Sequence, residues 1–168
     1  MNTETKPKKE SKLDIDSNYD LRLVKTLNPV LRWVLALPIA FLAAWAVQIV
    51  YGFVFKLFLS NFDEYGVVSI VVNSIFMIMK YSVFVVVAVA TSPVARNKKF
   101  VVSIVFAIIA SLLSVGATAL AVSLVTPPSW TMIIATSIAA VVGAFLAVWN
   151  VHSAISKPVT EENKDSQL

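Results

Sequence analysis

Very few side chains in this chain are of the types that carry out chemistry in proteins. The sequence has no cysteine and one histidine, His152. Thiolate chemistry is therefore absent, and one imidazole is too few to form a metal site, which needs several ligands. Acid–base and nucleophilic catalysis need a histidine, paired carboxylates or an activated nucleophile, and no base lies beside a serine in the long apolar stretches. The sequence therefore predicts a protein that is not an enzyme and holds no metal or other cofactor.

One reactive side chain, Lys80, lies in an unusual position. It falls inside a long apolar run, about 15 residues after Tyr65 and about 12 before Ser92, which is roughly 22 Å and 18 Å along a helix. If that run crosses a bilayer, Lys80 is near the centre, where a charge costs about 2.5–3.5 kcal/mol on insertion scales. Such residues normally face a bundle interior, a wet cavity or a partner.

The partners that the sequence offers Lys80 are neutral. Every carboxylate lies in a terminal segment or in the short polar stretch at 61–65, so none reaches Lys80 by depth. Asn73 is seven residues earlier on the same helical face, and Gln48 lies at a depth between Asn73 and Lys80. Gln48, Asn73 and Lys80 are therefore the candidate intramembrane polar site. Further candidate neighbours are two hydroxyls and one ring, those of Ser111, Ser114 and Trp45.

Three hypotheses for Lys80 follow from this position. In the first, the role is structural, and the ammonium snorkels toward the inner face or settles among neutral acceptors. In the second, Lys80 pairs with an acidic residue in the membrane helix of a partner, which makes this chain a subunit or an inhibitor of a larger complex. In the third, it forms part of a permeation or transport site for an anion or a proton.

Four apolar runs are long enough to place these residues in membrane-spanning helices. A bilayer core near 30 Å needs about 20 helical residues, and the runs cover about 31–59, 66–90, 100–125 and 130–151. The chain is 58% hydrophobic and 14% charged, against about 45–50% and 25% in soluble domains. The predicted fold is an all-α integral membrane protein, with a four-transmembrane-helix bundle over residues 30–152.

The basic residues predict the orientation of these spans. All but two of the lysines and arginines, Lys56 and Lys80, fall in the terminal segments, at the very start of the first run (Arg32) or in the connection near residues 91–99. The positive-inside rule then places both termini and this connection in the cytoplasm. Because no cleaved signal and no targeting or retention sequence is recognised, the expected location is a cell inner (cytoplasmic) membrane. These charges lie where anionic lipid head groups attract them, and they leave no basic face for nucleic acid.

The segments outside the spans carry their own signals. Residues 1–29 form a cytoplasmic N-terminal segment, in which Ser17-x-x-Asp20 followed by apolar residues at 21, 24 and 27 predicts a short interfacial helix over about 17–27; an extended linker is the alternative. Asn28 and Pro29 have the residue types that begin a helix, and Ser129 is a candidate cap for the fourth span. Residues 153–168 are predicted to be a cytoplasmic C-terminal tail.

Small residues recur at helical spacing in the spans. Helices associate within lipid through close approach at such residues, and we expect these stripes to be helix contacts within the chain or between copies of it. The positions are Ala135, Ala139, Gly143 and Ala147 in the fourth span and Ser111 and Ser114 in the third.

Together these features favour a small non-enzymatic membrane protein that acts as an accessory, regulatory or immunity-type component through helix–helix contacts. Its expected partners are the lipid bilayer and another membrane protein or copies of itself, and no nucleic acid. The alternative is a homo-oligomeric channel or transporter for a small solute or ion, with its polar site around Lys80.

Overall fold

Four long helices make up most of the computed structural model, which describes residues 14–16, 18–59, 62–63, 66–124 and 129–157. They are α1 (Pro29–Val54), α2 (Val67–Thr91), α3 (Lys99–Leu124) and α4 (Trp130–Ser156). Each is long and apolar enough to cross a membrane. The described residues contain no β-strand. The prediction of an all-helical chain with four helices long and apolar enough to span a membrane is therefore confirmed.

Helix α1 begins where the sequence predicts. The Asn28 side chain accepts a hydrogen bond from the Val30 amide at 3.0 Å, and Pro29 occupies the first helical position. A proline is tolerated there because its missing N–H would have no partner in the helix. The helix continues past Pro38 and then widens into a π-helical turn, Phe55–Leu59.

Helix α4 is longer than predicted at its C-terminal end. It runs to Ser156, so the first residues of the predicted tail, 153–156, are helical. The last carbonyls of a helix lack partners within it, and here Arg96 Nη2 donates to the carbonyls of Ala154 and Ile155 at 3.2 and 3.1 Å and to that of Lys157 at 2.6 Å. At the other end, Ser129 holds the cap position without a capping side-chain hydrogen bond.

Helix α2 is the centre of the arrangement. It packs on α1, α3 and α4, α3 packs on α4, and α1 packs chiefly on α2. The buried residues of these interfaces are mostly small or β-branched, because such side chains let helices approach closely. They include Ala36, Ala40 and Ala44 on α1, Val85, Ala88 and Val89 on α2, Ala107 and Ala110 on α3, and Ala144 and Ala147 on α4.

The predicted stripe on α4 faces α2. Ala139, Gly143 and Ala147 are buried, and Ala135 is half-buried. A methyl group built on Gly143 would lie only 2.6 Å from the Cα atom of Ile78 on α2, and Ser82 Oγ on α2 donates to the Gly143 carbonyl at 2.6 Å. The two backbones are therefore in direct contact at a position that only glycine fits.

The two serines predicted to mediate contacts on α3 differ from each other. Ser114 is buried, whereas Ser111 is half-buried and its hydroxyl donates to the Ala107 carbonyl of its own helix at 2.8 Å. A side-chain hydrogen bond between α3 and α4 joins Thr118 and Ser137, whose hydroxyl oxygens are 3.2 Å apart.

The segment before α1 is not the predicted interfacial helix. Of residues 18–27, only Arg22–Val24 are helical, as one 3₁₀ turn, and Ser17, the predicted cap, lies outside the described residues. The Leu21 amide donates to the Ala90 carbonyl at the end of α2 at 2.8 Å, and Leu21 and Val24 are buried against Ala90. The apolar pattern thus covers the end of α2 instead of a lipid surface. We call the described residues 14–16 and 18–27 the strap.

Candidate functional site

The structure brings together two of the three predicted polar-site residues. Lys80 on α2 donates from Nζ to Gln48 Oε1 on α1 at 3.0 Å, and its side chain is half-buried. The ammonium lies 5.9 Å from the centre of the Tyr81 ring. Trp45, the ring suggested by the sequence, is 63% exposed on α1. Lys80 and Gln48 therefore form a polar pair in the groove between α1 and α2.

Asn73 makes a separate set of hydrogen bonds. It is buried, its Nδ2 donates to the Ser69 carbonyl at 2.8 Å, and its Oδ1 accepts a short bond from the Tyr51 hydroxyl on α1. The Tyr51 ring also packs on Phe76, with ring centres 4.4 Å apart. Sequence reasoning missed Tyr51, although its position three residues after Gln48 puts both on one face of α1.

The groove between α1 and α2 changes character along its length. The Tyr51–Asn73 and Gln48–Lys80 pairs lie in the half away from the strap, and Phe41 and Phe84 meet edge to face nearer the strap, with ring centres 5.2 Å apart. Among the residues that the structure describes, carboxylates lie only outside the four long helices, at Asp14, Asp16, Asp20 and Asp63. Within the described part of the chain, the hydrogen-bond acceptor facing Lys80 is thus a neutral amide.

A second cluster, at the end of the bundle near the strap, consists of charged residues. Lys99, the first residue of α3, is fully buried, and Arg32 on α1 is 7% exposed. A single atom, Asp20 Oδ1 of the strap, lies 2.6 Å from Arg32 Nη2 and 2.8 Å from Lys99 Nζ. One carboxylate therefore joins α1 to α3 through two buried cations.

The same two cations cap the C-terminus of α2. Arg32 Nε donates to the Thr91 carbonyl at 3.0 Å, and Lys99 Nζ donates to the Val89 carbonyl at 3.1 Å. Both also reach the Ser92 carbonyl, at 3.2 and 3.4 Å. Cations are favoured at this end of a helix because its last carbonyls lack partners and carry partial negative charge. The cluster is thus fully hydrogen-bonded, which buried charges require.

Sequence reasoning assigned these basic residues only to membrane topology. The signal that could have found the cluster is the combination of acidic residues in the N-terminal segment with basic residues at the start of the first and third spans. That signal does not separate Lys99 from its neighbour Lys98, which is exposed.

A local network holds the loop that presents Asp20. Asp16 Oδ1 accepts from the amides of Asn18 and Asp20 at 3.0 and 2.9 Å, and Asp16 Oδ2 lies 2.7 Å from Lys25 Nζ. Burial alone would raise the pKa of Asp16, but the bonds from Lys25 and the amides outweigh it and hold that pKa below its usual value. Burial raises the pKa of Tyr19. The loop is therefore preformed around an ionised Asp16 carboxylate near neutral pH.

Comparison with models of protein families, with curated proteins and with solved structures finds no match to this chain. Its four long apolar helices are consistent with a multi-pass membrane protein.

Proposed function

We propose that this protein is a non-enzymatic accessory, regulatory or immunity-type component that binds another membrane protein within the bilayer. The observation that carries the proposal is the Lys80–Gln48 pair. An ammonium has three N–H donors, and here it has one neutral side-chain acceptor in a half-open groove near the middle of a span. A carboxylate on a partner's helix would supply the opposite charge that such residues usually find.

We further propose that both termini are cytoplasmic and that the membrane is the cell's inner (cytoplasmic) membrane. Basic residues gather at one end of the helices, where Asp20 joins Arg32 to Lys99 and Arg96 caps the end of α4. The opposite end carries Lys56 and Asp63. This asymmetry supports a cytoplasmic location for the basic end. The short connections at 60–66 and 125–129 favour recognition inside the bilayer or at the cytoplasmic face.

Site-specific photo-crosslinking in cells tests the proposal. A photoreactive residue replaces Met79, which is exposed beside Lys80, and the control position is Ile138, which is exposed on α4. We expect a discrete adduct with a different membrane protein from position 79 and not from position 138. Lys80→Leu should reduce that adduct at least about tenfold, because truncating one member of a desolvated charge pair costs several kcal/mol.

Gln48→Glu provides the matched control, because it changes one amide to a carboxylate of the same shape. It gives Lys80 a counter-ion within the chain, so we expect it to reduce the adduct while strengthening the contact between α1 and α2. An adduct yield that neither Lys80→Leu nor Gln48→Glu changes would contradict the proposal. Ion conduction by the purified protein in liposomes, with an ion preference changed by Lys80→Glu, would replace it with the homo-oligomeric channel.

A further inference from the structure

Asp20 joins two helices that have little other contact. Arg32 belongs to α1 and Lys99 to α3, while α1 packs chiefly on α2. Because one carboxylate oxygen accepts from both cations, the strap crosses the end of α2 and fastens α1 to α3. Removing Asp20 would leave two buried cations near each other with only backbone carbonyls as partners.

The strap is docked by its backbone and apolar side chains as well as by charge. The Leu21 amide bonds the Ala90 carbonyl, and Leu21 and Val24 are buried. Tyr19 has a φ of 62°, a left-handed conformation that is strained for a residue with a side chain. Such strain persists where the surroundings fix the backbone, and here the Tyr19 carbonyl accepts from Lys99 Nζ at 2.8 Å.

Helix α1 has the fewest helix neighbours of the four. Most of its large side chains away from α2 are exposed, among them Leu42, Trp45, Ile49, Val50 and Phe53. In the half of α1 away from the strap, Gln48 and Tyr51 form hydrogen bonds to α2. Apart from its packing on α2, the N-terminal end of α1 is therefore linked to the other helices mainly through the strap.

We propose that the strap is a latch that sets the position of α1. Docked, it holds α1 against α2 and keeps the Gln48–Lys80 pair closed. Released, it lets α1 move away from α2 and uncovers Lys80 for a carboxylate on another membrane helix. That last step rests on the proposed function of Lys80, whereas the latch itself does not.

The test uses the full chain in lipid nanodiscs. Because the sequence has no cysteine, Val24→Cys gives one reporter thiol on the buried side of the strap. Its rate of reaction with a maleimide reports undocking. A second readout is the distance between spin labels at Leu37→Cys on α1 and Leu146→Cys on α4, both exposed positions.

Asp20→Asn should raise the reaction rate at position 24 at least about tenfold and should lengthen or broaden the distance between the labels. Asp14→Asn is the matched control, because it removes an exposed carboxylate of the same segment, and it should change neither readout. Leu21→Ala, which disturbs no charge, should move both readouts in the same direction by a smaller factor. It serves as the test if Asp20→Asn does not fold.

Two results would overturn the latch. In the first, Asp20→Asn and Leu21→Ala both leave the thiol protected. In the second, the thiol reacts faster while the label distance stays fixed, so the strap covers α2 without positioning α1. Neither readout involves a partner, so these results are independent of the crosslinking at position 79. If both readouts respond as expected but Asp20→Asn leaves the adduct at position 79 unchanged, only the proposed regulation of Lys80 would be overturned.

Discussion

Replacing Lys99 with methionine is expected to lower the free energy of unfolding by about 3 kcal/mol, and the same change at Lys98 is expected to leave it nearly unchanged. Lys99 is fully buried, and its ammonium bonds Asp20 and three backbone carbonyls. Without it, the Asp20 carboxylate loses one of its two cations, and the carbonyls of Tyr19 and Val89 lose their charged donor. Lys98 is exposed and loses no buried partner.

The measurement is equilibrium unfolding in mild detergent, followed by the fluorescence of the four tryptophans. Both variants remove one positive charge from the same connection, so any effect on membrane orientation is common to the two. Equal unfolding midpoints for Lys98→Met and Lys99→Met would show that the buried cluster does not stabilise the protein.

Adding one methyl group to Gly143 is the second change with a large expected effect. Gly143→Ala should lower the free energy of unfolding by about 2 kcal/mol, because the added atom meets the backbone of Ile78 and α2 and α4 must move apart. The obstacle is backbone, which cannot rotate away as a flexible side chain would. The loss of close approach would also stretch the bond from Ser82 to the Gly143 carbonyl.

Gly116→Ala is the matched control for that experiment. Gly116 lies inside α3, and an added Cβ there has nothing within 4 Å. Since alanine is favoured over glycine in a helix, this variant should be as stable as the parent or slightly more so. The unfolding midpoints of the two variants should thus move apart. Equal shifts would mean that the α2–α4 contact is looser than described.

Much of the fold follows from local features of the sequence. The four spans depend on runs of apolar residues, and the start of α1 depends on Asn28 and Pro29, so both could be predicted without knowledge of tertiary contacts. The end of α4 could not be predicted in this way. Its last carbonyls, those of Ala154 and Ile155, accept hydrogen bonds from Arg96, a residue far away in the sequence.

The candidate polar site was only partly predictable, since depth is readable from sequence but rotation about a helix axis is not. Depth placed Gln48 near Lys80, and the two do bond. Asn73 is two helical turns, or roughly 10 Å, from Lys80 along α2, and the rotation of α1 gives it Tyr51 as its neighbour instead.

The strap was missed because its pattern fits two structures. Apolar residues at 21, 24 and 27 suit one face of a helix, but they equally suit burial on the end of α2. Asp16 favours the second outcome, since its carboxylate bonds nearby backbone amides and so competes with helix formation. The two cations that bind Asp20, Arg32 and Lys99, are 12 and 79 residues away from it in the sequence, and only the folded chain brings all three together.

Labelling of single cysteines in intact cells tests most directly whether the basic end of these four helices faces the cytoplasm. Phe62→Cys and Ser129→Cys report the connections between α1 and α2 and between α3 and α4, while Asn97→Cys and Lys157→Cys report the basic end. A membrane-impermeant maleimide should label the first two in intact cells and the last two only after the membrane is opened. Labelling at position 97 or 157 from outside, or protection at 62 and 129, would contradict the account.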